Sequence, residues 1–150
     1  MKLKALLIAS SLAFCASMPA GAQFAKPEDA IKYRQSALFV MGQNFIRVAA
    51  MANGRVPFDA KVAVEKASVA AYMARLPWAG FTPDSDMGNT KAKPEIWSNK
   101  AKFDDLAKQI VVELDKLEVV AKAGNIDAIK ASVGAVNKAC KNCHDDFRAK

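Results

Sequence analysis

A chain of 150 residues, 52% hydrophobic and 25% charged, with a net charge of +7 and a mean hydropathy of +0.01, can bury one core but not two. Its lysines and arginines are spread over every segment rather than clustered, so they read as a solvated surface, and nucleic-acid binding is excluded as a function class.

Lys2 and Lys4 precede an apolar run from Ala5 to Cys15, and Ala20-Gly21-Ala22 offers small residues at a cleavage site. A basic start, a short hydrophobic core and an A-x-A end predict a secretory signal peptide over residues 1–22, with a mature domain over 23–150. The apolar run is too short for a membrane span, which needs ~20 residues. Export would place the mature chain in a bacterial periplasm and discard Cys15 with the leader. Loss of Lys2 and Lys4 lowers the formal charge to +5.

The remainder shows no strand-like alternation and predicts an all-α protein of four helices. Pro27, Glu28 and Asp29 form a helix start, with proline in the first turn and acids near the positive dipole end. Leu38, Met41, Phe45, Val48 and Ala52 then recur at 3/4 spacing until Asn53-Gly54 stops the helix. A second start at Pro57 to Asp59 opens a helix whose Val62, Ala63, Ala67, Ala70, Ala71 and Ala74 make a small-residue face running toward Leu76. Pro77, Pro83, Gly88 and Pro94 forbid a continuous helix in the next stretch. That stretch holds Trp78, Phe81 and Trp97, large aromatics that either plug the end of the core or line a cofactor. Ser98 is placed to cap a third helix with an apolar stripe of Phe103, Leu106, Ile110, Leu114, Leu117 and Ala121, closed by Gly124. Asn125 caps a fourth, in which Ile126, Ile129, Val133, Val136, Cys140, Cys143 and Phe147 repeat at alternating 3 and 4. The short links at Gly54–Pro57 and Gly124–Asn125 make each helix pair antiparallel, so the expected fold is an antiparallel four-helix bundle.

Cys140-Lys141-Asn142-Cys143-His144 uses two of the three cysteines and the one histidine of the chain within five residues. C-x-x-C-H is the attachment signature of a c-type haem. Residues at i, i+3 and i+4 share a helical face, so both sulfurs can reach one porphyrin while His144 supplies an axial ligand to its iron. A structural zinc site would need a fourth ligand such as Asp145 or Asp146, with no second Cys or His pair present. A thioredoxin-like pair belongs at the start of a helix in a strand-helix-strand context, and a plain disulfide leaves His144 unexplained. The cysteines lie in register with the apolar stripe, which places the haem inside the bundle. With only six residues after His144, a second axial ligand would have to come from upstream, from Met41, Met51, Met73 or Met87.

Tyr33-Arg34-Gln35-Ser36-Ala37-Leu38, Leu76-Pro77-Trp78 with Phe81, Pro94-Glu95-Ile96-Trp97 and the terminal Cys140-x-x-Cys143-His144-x-x-x-Arg148 resemble cytochrome c′ over the whole mature chain. The resemblance implies one covalently bound haem c and a homodimer. It also implies a high-spin, pentacoordinate iron held by His144 alone. Low-spin relatives carry a methionine in the slot of Leu38, so by resemblance Leu38 covers the distal face and donates nothing. Arg34 and Gln35 match residues near the haem propionates, Trp78 and Phe81 pack near the porphyrin, and Arg148 stands beside the proximal histidine. Four residues on from His144, Arg148 is expected on the same helical face.

An iron with one open position under an apolar side chain favours nitric oxide and, more weakly, carbon monoxide over oxygen, whose complex needs polar stabilisation. Electron transfer with an unidentified redox partner is compatible with this. Peroxidase turnover is disfavoured, because no distal acid or base can be placed. The alternative is a low-spin electron carrier with Met41 as sixth ligand.

Overall fold

The computed structural model describes residues 23–150; the expected signal peptide lies outside the described residues. Four long helices account for most of the chain: α1 (Pro27–Ala52), α2 (Ala60–Met73), α4 (Lys100–Ala123) and α5 (Ile126–Phe147). Between α2 and α4 run a 3-10 turn (Pro77–Gly80) and the one-turn helix α3 (Glu95–Ser98). Among the described residues the β-structure is one isolated antiparallel bridge, Ala92 with Arg148.

The helix boundaries follow local chemistry. Pro27 opens α1 with Glu28 and Asp29 in its first turn. The Asp59 side chain accepts from Val62 N at 3.0 Å and caps α2, and Asn125 accepts from Ala128 N at 3.0 Å and caps α5. Gly124 ends α4 in the left-handed region at φ 72°, which costs a residue without a Cβ nothing. The start of α4 differs from the sequence expectation. Ser98 closes α3, and Asn99 is the capping position of α4 without a side-chain cap bond. Pro94 has nucleated a separate helical turn just upstream, and Ser98 is consumed by it.

The expected apolar stripes are the core. Met41, Phe45, Val48 and Ala52 of α1 meet Ile110, Leu114, Leu117 and Ala121 of α4 and Ile129, Val133 and Val136 of α5. Leu114, Leu117 and Ile129 are at most 1% exposed, and each such side chain contributes about 1.5–3 kcal/mol on burial. Not every stripe position is fully buried: Leu38, Val62, Leu106 and Cys140 are half-buried, Ala107 is buried beside Leu106, and Ile126 lies at the surface. Ala63, Ala67, Ala70 and Ala71 of α2, and Ala74 just past its end, are all buried within the single chain, so this small-residue face lets α2 approach α1 and α4. That face is not free for a second copy. The exposed large apolar residues of α1, α2 and the loop between them are Phe39, Val40, Ile46, Phe58 and Tyr72.

The connection from 74 to 99 closes one end of the bundle, where α1 and α4 begin and α2 and α5 end. The 3-10 turn lies so close to α1 that a Cβ on Gly80 would come within 2.7 Å of Ala30 O and 2.8 Å of Arg34 Cβ. Arg34 holds this connection in place. Its Nη1 donates to Gly80 O (2.7 Å) and Ser85 Oγ (2.6 Å), and its Nη2 to Ser85 O (2.8 Å) and Thr90 Oγ1 (2.9 Å). The guanidinium also lies 4.6 Å from the Phe81 ring centroid and 5.8 Å from that of Trp97.

Candidate functional site: a haem cavity at the closed end

Beneath that connection, α1, α4 and α5 enclose a cavity of about 700 Å³, a volume typical of cofactor pockets, ~300–1,000 Å³. Arg34, Gln35, Leu38, Trp78, Phe81, Cys140, Cys143, His144 and Arg148 all border it, so every site residue expected from the sequence converges on one space. Of the four candidate methionines, Met41 alone borders it.

The walls are aromatic and aliphatic. Trp78 stacks on Phe81 (6.2 Å between centroids, 20° between planes), and Phe103 meets both rings edge-on at 5.8 and 4.8 Å. Trp78 satisfies its indole N–H on Ala74 O at 2.6 Å. Trp97 donates to Thr82 O at 2.8 Å and packs behind Phe81, off the cavity wall. The aromatic cluster therefore divides: Trp78 and Phe81 line the cavity, and Trp97 plugs the end of the core.

Cys140 and Cys143 are both free thiols on the α5 wall. Burial raises both above the ordinary thiol pKa, Cys143 to about 11, with Cys140 and Asp146 adding to the rise. His144 borders the cavity one residue further on. Burial, then the cation of Arg148, lowers its pKa below the ordinary value, which keeps the imidazole neutral and its lone pair available to a metal at pH 7. Among the described residues no carboxylate lines the cavity. Among the described residues, no group of three or more His, Cys, Asp or Glu side chains converges on a point, so a protein-only metal site has no ligand set. Two unpaired thiols and a neutral imidazole on one wall of a large apolar cavity fit a covalently held porphyrin.

Arg34 and Gln35 stand at the rim, but their donors are engaged by the chain itself. The four N–H groups on the terminal nitrogens of Arg34 bind the connection, leaving Nε–H, and Gln35 Nε2 donates to Asn89 O at 2.9 Å. Arg148 departs from the helical placement expected for it. The chain leaves the helix after Phe147, and Arg148 is extended (φ −118°, ψ 127°), pairing with Ala92. Ala149 N donates to Lys91 O (2.8 Å) and Lys93 N to Phe147 O (3.0 Å). Arg148 reaches the cavity from this extended segment, because backbone pairing with residues 91–93 replaced a further turn of α5. Thr90 and Lys91 also border the cavity and were not apparent from sequence, where only their place beside the Pro94–Trp97 motif pointed toward them.

A four-helix bundle whose last helix turns C-x-x-C-H into such a cavity is a c-type haem protein. The chain matches the family model of cytochrome c′ over residues 29–148. It is 47% identical over 129 residues to cytochrome c′ of Rubrivivax gelatinosus, covering 85% of this chain and 100% of that one. The crystal structure of the Rubrivivax protein superposes with a TM-score of 0.82 over the same shares of the two chains. Cytochrome c′ of Alcaligenes xylosoxydans xylosoxydans is 42% identical over 128 residues, covering 85% and 99% of the two chains. A nitric oxide complex of a single-residue variant of cytochrome c′ from Alcaligenes xylosoxidans has a TM-score of 0.80 at 41% identity, covering 85% and 99%. This chain belongs to the cytochrome c′ family, and its cofactor is a covalently attached haem c.

Proposed function

We propose that this chain is a periplasmic cytochrome c′ that binds nitric oxide, and more weakly carbon monoxide, at a pentacoordinate high-spin haem iron with His144 as its axial protein ligand. The observation that carries this is the α1 wall of the cavity. Leu38 presents hydrocarbon there, and α1 places no imidazole, amine or carboxylate on the cavity. Cys140 and Cys143 would hold the haem through thioether bonds, each S–H adding across one vinyl substituent. The haem supplies an iron that takes up a diatomic and exchanges one electron.

The chain's own residues set the selectivity. Leu38 offers no hydrogen bond to a bound gas, so oxygen gains no polar stabilisation, and any ligand on that side must displace it. Arg34 and Gln35 brace the rim, and the lack of a distal acid or base favours binding over turnover. The nitric oxide complex of the Alcaligenes relative supports the choice of ligand. Export to the periplasm is supported by Lys2, Lys4, the Ala5–Cys15 run and Ala20-Gly21-Ala22. No helix among the described residues is long and apolar enough to cross a membrane. A homodimer through α1 and α2 is supported by the exposed apolar side chains of Val40 and Tyr72 on those helices.

Resonance Raman of the purified ferrous protein tests the assignment, with a five-coordinate high-spin iron and an iron–histidine stretching band expected. Six-coordinate low-spin iron in the unliganded protein refutes it. His144→Ala should remove the band while leaving pigment attached under denaturing conditions.

A further inference from the structure

The last four carbonyls of an α-helix have no partner within it and are met by side chains, by neighbouring backbone or by water. In α5 those carbonyls belong to His144, Asp145, Asp146 and Phe147. His144 O accepts from Arg148 N at 3.1 Å. One residue outside the helix satisfies the other three: Lys93 Nζ donates to Asp145 O and Asp146 O, both at 3.1 Å, and Lys93 N donates to Phe147 O at 3.0 Å.

We propose that Lys93 is a positioning residue for His144, holding the turn that carries the axial imidazole and offsetting the negative end of its helix dipole. The inference rests on His144 being the axial ligand, and it adds a residue from a distant segment to the proximal side. Lys93 is itself firmly placed. Its segment pairs with Arg148 and Ala149, and Thr90 in the same segment accepts from both Arg34 Nη2 and Ala92 N. The ammonium is therefore presented to α5 by a strand-like piece anchored to α1. The C-terminal end of a helix carries a partial negative charge of about half a unit, and a cation there offsets it. Without the ammonium, two carbonyls exchange a fixed partner for water and the surroundings of His144 become more negative, which disfavours adding an electron to the metal it binds.

The test is resonance Raman and reduction potential of the ferrous and ferric holoprotein with Lys93→Met and Lys93→Gln. Lys93→Arg serves as the conservative rescue and Lys102→Met as the control. Lys102 pairs with Asp146 at 3.0 Å on the same turn but touches no orphan carbonyl. Lys93→Met and Lys93→Gln should broaden and shift the iron–histidine band and lower the potential. Lys93→Arg should return both toward wild type, and Lys102→Met, which removes a cation but no carbonyl partner, should leave the iron–histidine band in place. A folded Lys93→Met or Lys93→Gln protein with the wild-type band and potential overturns the proposal, as does an equal shift of the band in Lys102→Met. A wild-type protein with no iron–histidine band removes this proposal and the His144 assignment together, whereas a wild-type band that Lys93→Met leaves untouched removes this one alone.

Discussion

Arg34 Nη2 donates to Thr90 Oγ1 at 2.9 Å across 56 residues of sequence, and the same hydroxyl accepts from Ala92 N at 3.0 Å. Arg34 stands one helical turn before Leu38, and Ala92 pairs with Arg148. One threonine thus joins the helix that carries Leu38 to the segment that pairs with the end of the His144 helix. A buried cation with no carboxylate partner is unusual, and desolvation lowers the Arg34 pKa. Four neutral acceptors and two aromatic faces stand in for the missing anion.

Arg34→Met should destabilise the protein by about 3–5 kcal/mol, since several buried acceptors, Gly80 O and Ser85 O among them, lose their donor at about 1–3 kcal/mol each. Arg34→Lys should recover little of this, because an ammonium lacks the planar fork that serves four acceptors at once. Denaturant unfolding of the holoprotein measures both.

Leu38→Ala should speed carbon monoxide association with the ferrous protein by about tenfold or more, because removing the branched side chain relieves about 1.4 kcal/mol or more of displacement cost. Flash photolysis or stopped-flow mixing gives the rate. Wild-type kinetics would mean that Leu38 does not cover the binding position.

Met41→Ala separates the low-spin alternative from the proposed one. Met41 borders the cavity but is also 8% exposed and packed in the core cluster. The expected result is an unchanged absorption spectrum with a stability loss of about 2–5 kcal/mol. Loss of a methionine-to-iron charge-transfer band would reverse the assignment.

Glu118 links two helices: it accepts from Ser68 Oγ on α2 at 2.8 Å and from Lys122 Nζ on α4 at 2.7 Å. The Lys122 bond first, then the Ser68 bond, hold its pKa below the ordinary carboxylate value. A depressed folded pKa means the unfolded state takes up the proton first, so this contribution is present above about pH 5 and is lost as pH falls. Glu118→Gln should flatten the acid limb of the thermal-stability profile and lower Tm near pH 7 by about 1–3 °C. An acid limb identical to wild type would show that the link does not contribute.

The helices, two of the caps and the cysteine-histidine motif were legible because they are short-range. Asn125 sits three residues from the amide it caps, and Cys140, Cys143 and His144 share a face by helical geometry alone. Ser98 misled because Pro94 starts its own turn just ahead of it. Arg148 misled for a different reason: the i+4 rule holds only while the helix continues, and backbone pairing with residues 91–93 ended it first.

From the order of residues alone come the bundle, the stripe that becomes its core, and a last helix offering two thiols and an imidazole together. Which distant groups surround that offering was decided by tertiary packing. Gly80, Ser85 and Thr90 become the partners of Arg34, and Lys93 reaches the end of α5, only when the connection folds back over the bundle. Periodicity and capping act within a turn or two of chain. Hydrogen bonds between segments some 50 residues apart depend on where the packed helices bring those segments, and no local pattern encodes that meeting.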